Sequence, residues 1–137
     1  MMKIEDLAVG DSLPERKHEP SNVSLFLYNA AVWNAHRIHY DERYTREEEG
    51  HPDVVVDGPL QGDWLAQCVD NWLDSGGVLE TFEYSNRRAA YLGETLVSGG
   101  EIKTIDLKNK EVRLELWVKN SKGEVISPGK AQVSFFE

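Results

Sequence analysis

The densest group of reactive side chains in this sequence is Asn34-Ala35-His36-Arg37-Ile38-His39-Tyr40-Asp41. It holds two of the chain's 4 histidines, three positions apart, with Asp41 close behind. Histidine exchanges protons near neutral pH, so His36 and His39 suit acid/base work. The residue types allow three readings: a hydrogen-bonded polar loop, a metal site built from His-x-x-His and a carboxylate, and a proton-transfer site. The metal reading lacks a zinc-type spacing or a second ligand pair. A second feature is Asp57-Gly58-Pro59-Leu60, placed where a long helix is expected to begin. The first N–H groups of a helix have no internal acceptor, and the dipole's positive end lies behind them. Glycine admits a ligand close to that backbone, so Gly58 N–H could hold a developing oxyanion. The plainer reading is a turn that introduces a core helix.

The flanking elements must position these residues. Ser21 reads as the N-cap of a helix over 22–33, with Leu25, Tyr28, Asn29 and Val32 along one side. A short charged helix is expected over 42–49, stopped by Gly50 and Pro52. Val54-Val55-Val56 is a β-branched run. From 59 to 75 the apolar residues Leu60, Trp64, Cys68 and Trp72 recur every fourth position, beside the row Leu65, Val69 and Leu73. This is the strongest helix signal, with Pro59 in its first turn and Gly76-Gly77 as its expected stop. Strand-like runs follow over 79–90, 95–107, 111–119 and 125–136, separated by turn signals. Gly99-Gly100 suggests a bulge or bend. Residues 1–20 read as a lead-in segment in which Pro14 and Pro20 break any helix. One long apolar helix and four long strands describe a single α+β domain over 1–137, with a curved antiparallel sheet wrapped around the helix.

Composition excludes several classes. The chain has 137 residues and a net charge of −9, with 40% hydrophobic residues. That is one domain with enough apolar surface for a core. There is no basic face for nucleic acid and no apolar run long enough for a membrane span. The N-terminal stretch, with Glu5 and Asp6, does not read as a signal peptide. One cysteine, Cys68, allows no internal disulfide; a cytoplasmic protein is the expectation. Trp64, Trp72 and Cys68 read as core. Arg87-Arg88 reads as a surface pair, one member of which could meet a phosphate.

Taken together, the stretch from Tyr28 to Leu60 resembles the signature of the MaoC-like hydratase/dehydratase family, whose members have a hot-dog fold. That signature runs Gly-Asp-x-Asn-Pro-Ile/Leu-His, an aromatic or His, an Asp, a short helix, then Val-x-His/x-Gly-x-Leu at the start of the central helix. Here Asn34-Ala35-His36-Arg37-Ile38-His39 fills the motif, Tyr40-Asp41 follows, and Val56-Asp57-Gly58-Pro59-Leu60 opens the helix. The resemblance implies that His39 is a general acid/base and that Gly58 N–H polarises a thioester carbonyl. The motif's catalytic aspartate falls on Asn34, which can orient a water but cannot take its proton. His36 or Asp41 is the expected substitute for that carboxylate, by fixing the tautomer of His39. His36, Asp41, Pro59 and Leu60 are the expected substrate contacts. The implied reaction is reversible addition of water to a 2-enoyl thioester, on coenzyme A or a carrier protein, with no metal or other cofactor. The form Asn-x-His-Arg-Ile-His-Tyr-Asp resembles two-part acyl-CoA hydratases, so a homodimer or a heterodimer with another hot-dog chain is expected. The rival readings are a non-catalytic hot-dog subunit and an acyl-CoA thioesterase using Asp57 or Asp63.

Overall fold

The computed structural model describes residues 2–137. β1 (Ser12–His18) leads into α1 (Asn22–Ala31), a single 3-10 turn (Arg37–His39), α2 (Glu42–Glu47) and the central helix α3 (Gly58–Leu73). Then come β2 (Gly77–Tyr84), β3 (Leu96–Asp106), β4 (Glu111–Lys119) and β5 (Val125–Phe135). The five strands form one antiparallel sheet in the order β1-β3-β4-β5-β2. α3 packs against all five. This is the hot-dog architecture.

The pattern of the sequence accounts for it. On β4, Val112, Leu114, Leu116 and Val118 are buried while Arg113 and Glu115 face solvent, the period-two alternation of a sheet with one covered face. The cover is α3, whose Trp64, Leu65, Cys68, Val69, Trp72 and Leu73 are buried in the same core. Burial also raises the Cys68 thiol above its ordinary range, which fits a small buried hydrophobe rather than a nucleophile.

Three local expectations change. The lead-in segment contains a strand, β1, at the sheet edge. Pro14 sits where the β1–β3 register shifts, and edges and bulges are where a strand tolerates a missing N–H. The extra residue expected at Gly99-Gly100 is therefore on β1, opposite these glycines. The helix α3 does not stop on a left-handed glycine either: Asp74 (φ 42°) and Ser75 (φ 62°) make the left-handed turn. Gly77 is needed for another reason, since a Cβ there would collide with the Ser134 carbonyl of β5.

A half-buried histidine outside the motif packs against the core. His18 stacks on Trp64 with ring centroids 4.0 Å apart, and its Nε2 lies 2.9 Å from the Ser98 hydroxyl. Burial, then the nearby Arg16 charge, lowers its pKa from 6.5 to about 4. The folded state thus holds His18 neutral, where the unfolded chain would take up a proton. This contribution to stability is complete above pH 6.5 and is lost as pH falls toward 4. Urea midpoints measured across that interval should fall, and His18→Phe, which keeps the stack, should flatten the fall.

Candidate active site

The site begins with the ending of α1. Ser21 and Ser24 form a reciprocal capping box at its start. At its end Trp33 adopts φ 58° and points into solvent, 93% exposed. This left-handed turn reverses the chain, and Asn34 N–H donates back to the Asn29 carbonyl at 2.9 Å. The Asn34 Oδ1 then accepts from His36 N–H at 3.0 Å, while His36 Nδ1 accepts from Ile38 N–H at 3.3 Å. The two side chains shape the single turn that delivers His39.

His39 is buried and fixed by the Val54–Asp57 segment. Val55 N–H donates to the Ile38 carbonyl at 2.9 Å. In return the Val55 carbonyl lies 2.7 Å from His39 Nδ1. A carbonyl accepts only, so Nδ1 carries the proton and Nε2 is the basic nitrogen. The segment is itself anchored on its other side, by Val56 N–H to the Ala90 carbonyl and Leu92 N–H to the Val54 carbonyl.

Asp57 ends this segment at the cap position of α3, yet its side chain makes no capping bond. It turns inward, fully buried, and its Oδ1 accepts from Asn29 Nδ2 at 3.0 Å. The same Oδ1 lies 3.5 Å from His39 Nδ1. Burial pushes the Asp57 carboxyl above its ordinary range, opposed by the Asn29 bond and the charge of His39. Because Asp57 does not cap, the first N–H groups of α3 are left without a side-chain acceptor. Gly58 opens that helix, and a Cβ on it would run into the side chain of Asn86.

His39 and Gly58 line one pocket of about 210 Å³, together with Gln61, Asn86, Arg87 and Arg88. Its back wall is a polar chain: the Ser127 hydroxyl lies 2.6 Å from Gln61 Oε1 and 2.8 Å from Asn86 Oδ1. Asn34 lines a neighbouring groove of about 410 Å³ with Phe26, Asn29, Trp33 and Tyr40. Asn29 lines that groove while its amide holds Asp57.

The structure thus gathers His39 and Gly58 and sets Asn34 one layer away. It also corrects the expected source of the His39 tautomer. Asp41 caps α2 through Tyr44 N–H and pairs with Arg37 at 2.9 Å, so its carboxylate is committed elsewhere. His36 spends its Nδ1 on Ile38 N–H. Val55 and Asp57 occupy the Nδ1 side of His39 instead. Pro59 is exposed in the first turn of α3, and Leu60 is half-buried against the core. Asp63 is exposed and accepts from the Tyr28 hydroxyl at 3.3 Å; burial and that carboxylate push Tyr28 up to about 12. The sequence reading missed Asp57 as the neighbour of His39, and missed Asn29, Gln61, Asn86 and Ser127. Two of these had a signal: Asn29 and Gln61 are amides on the buried faces of their helices, where a polar group needs a partner.

The comparisons with known proteins concern the family and the fold. Residues 7–92 match the family described as hydroxyacyl-thioester dehydratase type 2. The chain is 58% identical over 36 residues to mesaconyl-C(4)-CoA hydratase of Chloroflexus aurantiacus, covering 26% of this chain and 13% of that protein. It is 29% identical over 76 residues to the mitochondrial hydroxyacyl-thioester dehydratase type 2 of Saccharomyces cerevisiae, covering 56% of this chain and 26% of that one. The matched stretches thus span about a quarter or less of these relatives. A solved MaoC-like dehydratase superposes with a TM-score of 0.87 at 25% identity, over 96% of this chain and 42% of that one. Because the family match runs from residue 7 to residue 92 and takes in His39 and the start of α3, the chain belongs to the hydroxyacyl-thioester dehydratase type 2 family, among the MaoC-like hot-dog hydratases and dehydratases.

Proposed function

We propose that this chain adds water reversibly to a 2-enoyl thioester, with His39 as the acid/base. One observation carries the reading: His39 is held by Nδ1 on the Val55 carbonyl, leaving Nε2 for a pocket it shares with the uncapped start of α3. In hydration, His39 Nε2 takes a proton from water as the water oxygen bonds to C3. The electron pair of the C2–C3 double bond shifts toward the thioester carbonyl. The oxygen gains negative charge, and Gly58 N–H at the positive end of α3 stabilises it. The imidazolium then returns the proton to C2. Dehydration runs the same steps backwards.

Asn34 is proposed to orient the water. Its Oδ1 is engaged by His36 N–H, so the amide Nδ2 is the donor left for a water oxygen. His36, Asp41, Pro59 and Leu60 are proposed to bound the substrate on the loop and helix sides. Arg87 is the candidate for a coenzyme or carrier phosphate: it lines the pocket with no carboxylate partner among the described residues, whereas Arg88 is paired with Glu124 at 2.7 Å. No further cofactor is proposed.

A second hot-dog chain, identical or different, is proposed as partner. β1 and β2 are the sheet's edges, and open edges invite pairing. Val23, Phe26, Leu27, Val32 and Trp33 leave apolar surface exposed beside the Asn34 groove. The solved relative whose chain is more than twice the matched length fits a two-part assembly. Light scattering should therefore give at least twice the 15.6 kDa of one chain; a monomer, alone and with co-expressed neighbours, counts against the partner.

The activity test follows the conjugated-thioester absorbance of 2-enoyl-CoA esters of several sizes. His39→Ala should lower kcat/KM by about 10²–10⁴-fold, the usual worth of a general acid/base, while the far-ultraviolet circular dichroism shows the fold retained. Retained turnover removes His39 from the mechanism. Release of free thiol from a saturated acyl-CoA would favour hydrolysis instead. Gly58→Ala places a methyl group against Asn86 at the pocket wall, so it should cut kcat by about tenfold or more while the fold persists.

A further inference from the structure

The motif position that carries a carboxylate in the family pattern is Asn34 here. A cation formed on His39 during proton transfer would therefore lack the counter-charge that the motif supplies. A carboxylate reaches this ring from another element. Asp57 is fully buried at the head of α3, with Oδ1 3.5 Å from His39 Nδ1. Its Oδ2 has no hydrogen-bond partner, and the Oδ1 of its neighbour Asn29 is equally unpaired.

A buried carboxylate with one orphaned oxygen works against folding. The local structure does not require it, because Asp57 leaves α3 uncapped. Its one side-chain hydrogen bond, from Asn29, could be received by any carbonyl oxygen at that place. What a carbonyl could not supply is negative charge beside His39.

We propose, building on the hydration reading above, that Asp57 is the carboxylate of this site: a positioning residue that acts through His39. The Val55 carbonyl fixes the proton on Nδ1; Asp57 adds the negative charge that stabilises the imidazolium while the proton is in transit. The site's negative charge has moved from the motif loop to the start of the central helix. Other ionisable groups surround the pair: His36 on the same loop, with its ring centroid 5.8 Å from that of His39, Tyr28 on α1, and Arg87 and Arg88 across the pocket.

The test is Asp57→Asn, which keeps shape and the acceptor for Asn29, with Asp57→Ser as a second variant if Asn fails to fold. The first readout needs no substrate: a pH titration of the histidine ring signals by NMR. Loss of the carboxylate should weaken proton binding at His39 by roughly tenfold, leaving the His51 signals in place. The second readout is hydration: kcat should fall by about tenfold or more with KM little changed, and the acid limb of the pH profile should move to lower pH. Tm should stay level or rise, since a buried charge is gone. An unmoved His39 titration overturns the proposal, as does a moved titration with wild-type kcat and pH profile in an active enzyme. If the wild type hydrates no enoyl thioester, the hydration reading fails, and the titration alone decides whether Asp57 governs the charge of His39.

Discussion

The arrangement of this site depends on the extended segment Val54–Asp57, pinned on both sides. On one side it exchanges hydrogen bonds with the turn that carries His39; on the other it pairs with the backbone around Ala90 and Leu92. Val54, Val55 and Val56 are all buried, so the segment cannot shift without opening the core. It therefore sets two things together: the orientation of the His39 ring and the point at which α3 begins. In the hydration proposed above, the relative placement of base and oxyanion donor must hold to within a fraction of an ångström. Here one short piece of backbone controls both.

The electrostatics show where stability yields to chemistry. Asp57 stands at the cap position of the central helix, where an aspartate ordinarily satisfies the first N–H groups. It turns into the interior instead, toward Asn29 and His39. The fold loses a cap and buries a carboxyl group, and the gain is an open helix terminus beside a histidine with a nearby charge. His18 is the contrasting case: stacked on Trp64 and bonded to Ser98, it is a histidine held neutral for packing.

Asn29 lines the apolar groove while its amide donates to Asp57, the buried neighbour of His39. The groove continues into the exposed face of α1 around Trp33 and Phe26, so a covering partner would also complete the apolar side of the cavity.

Much of this was legible in the residue order. The four-residue recurrence from Leu60 to Trp72 and the alternation on β4 reported one helix covered by a sheet, because periodicity records which face is buried. Ser21 announced the start of α1. His39 and Gly58 could be singled out as candidates because the chemistry that marks them resides in their own atoms, and the fold brings both to one pocket. Strand β1 was hidden, since Pro14 suppresses the local signal and only the neighbouring β3 makes that stretch a strand. The partners of His39 were hidden as well. Asp41 is adjacent in sequence but faces Arg37 and the start of α2, whereas Val55 and Asp57 lie more than a dozen residues on and reach the ring through the fold. Sequence alone determined which groups could move a proton and which faces had to be buried, because both are properties of single residues and their local period. Tertiary structure alone decided which carboxylate stands beside the histidine, because charge acts through space and chain order does not measure that distance.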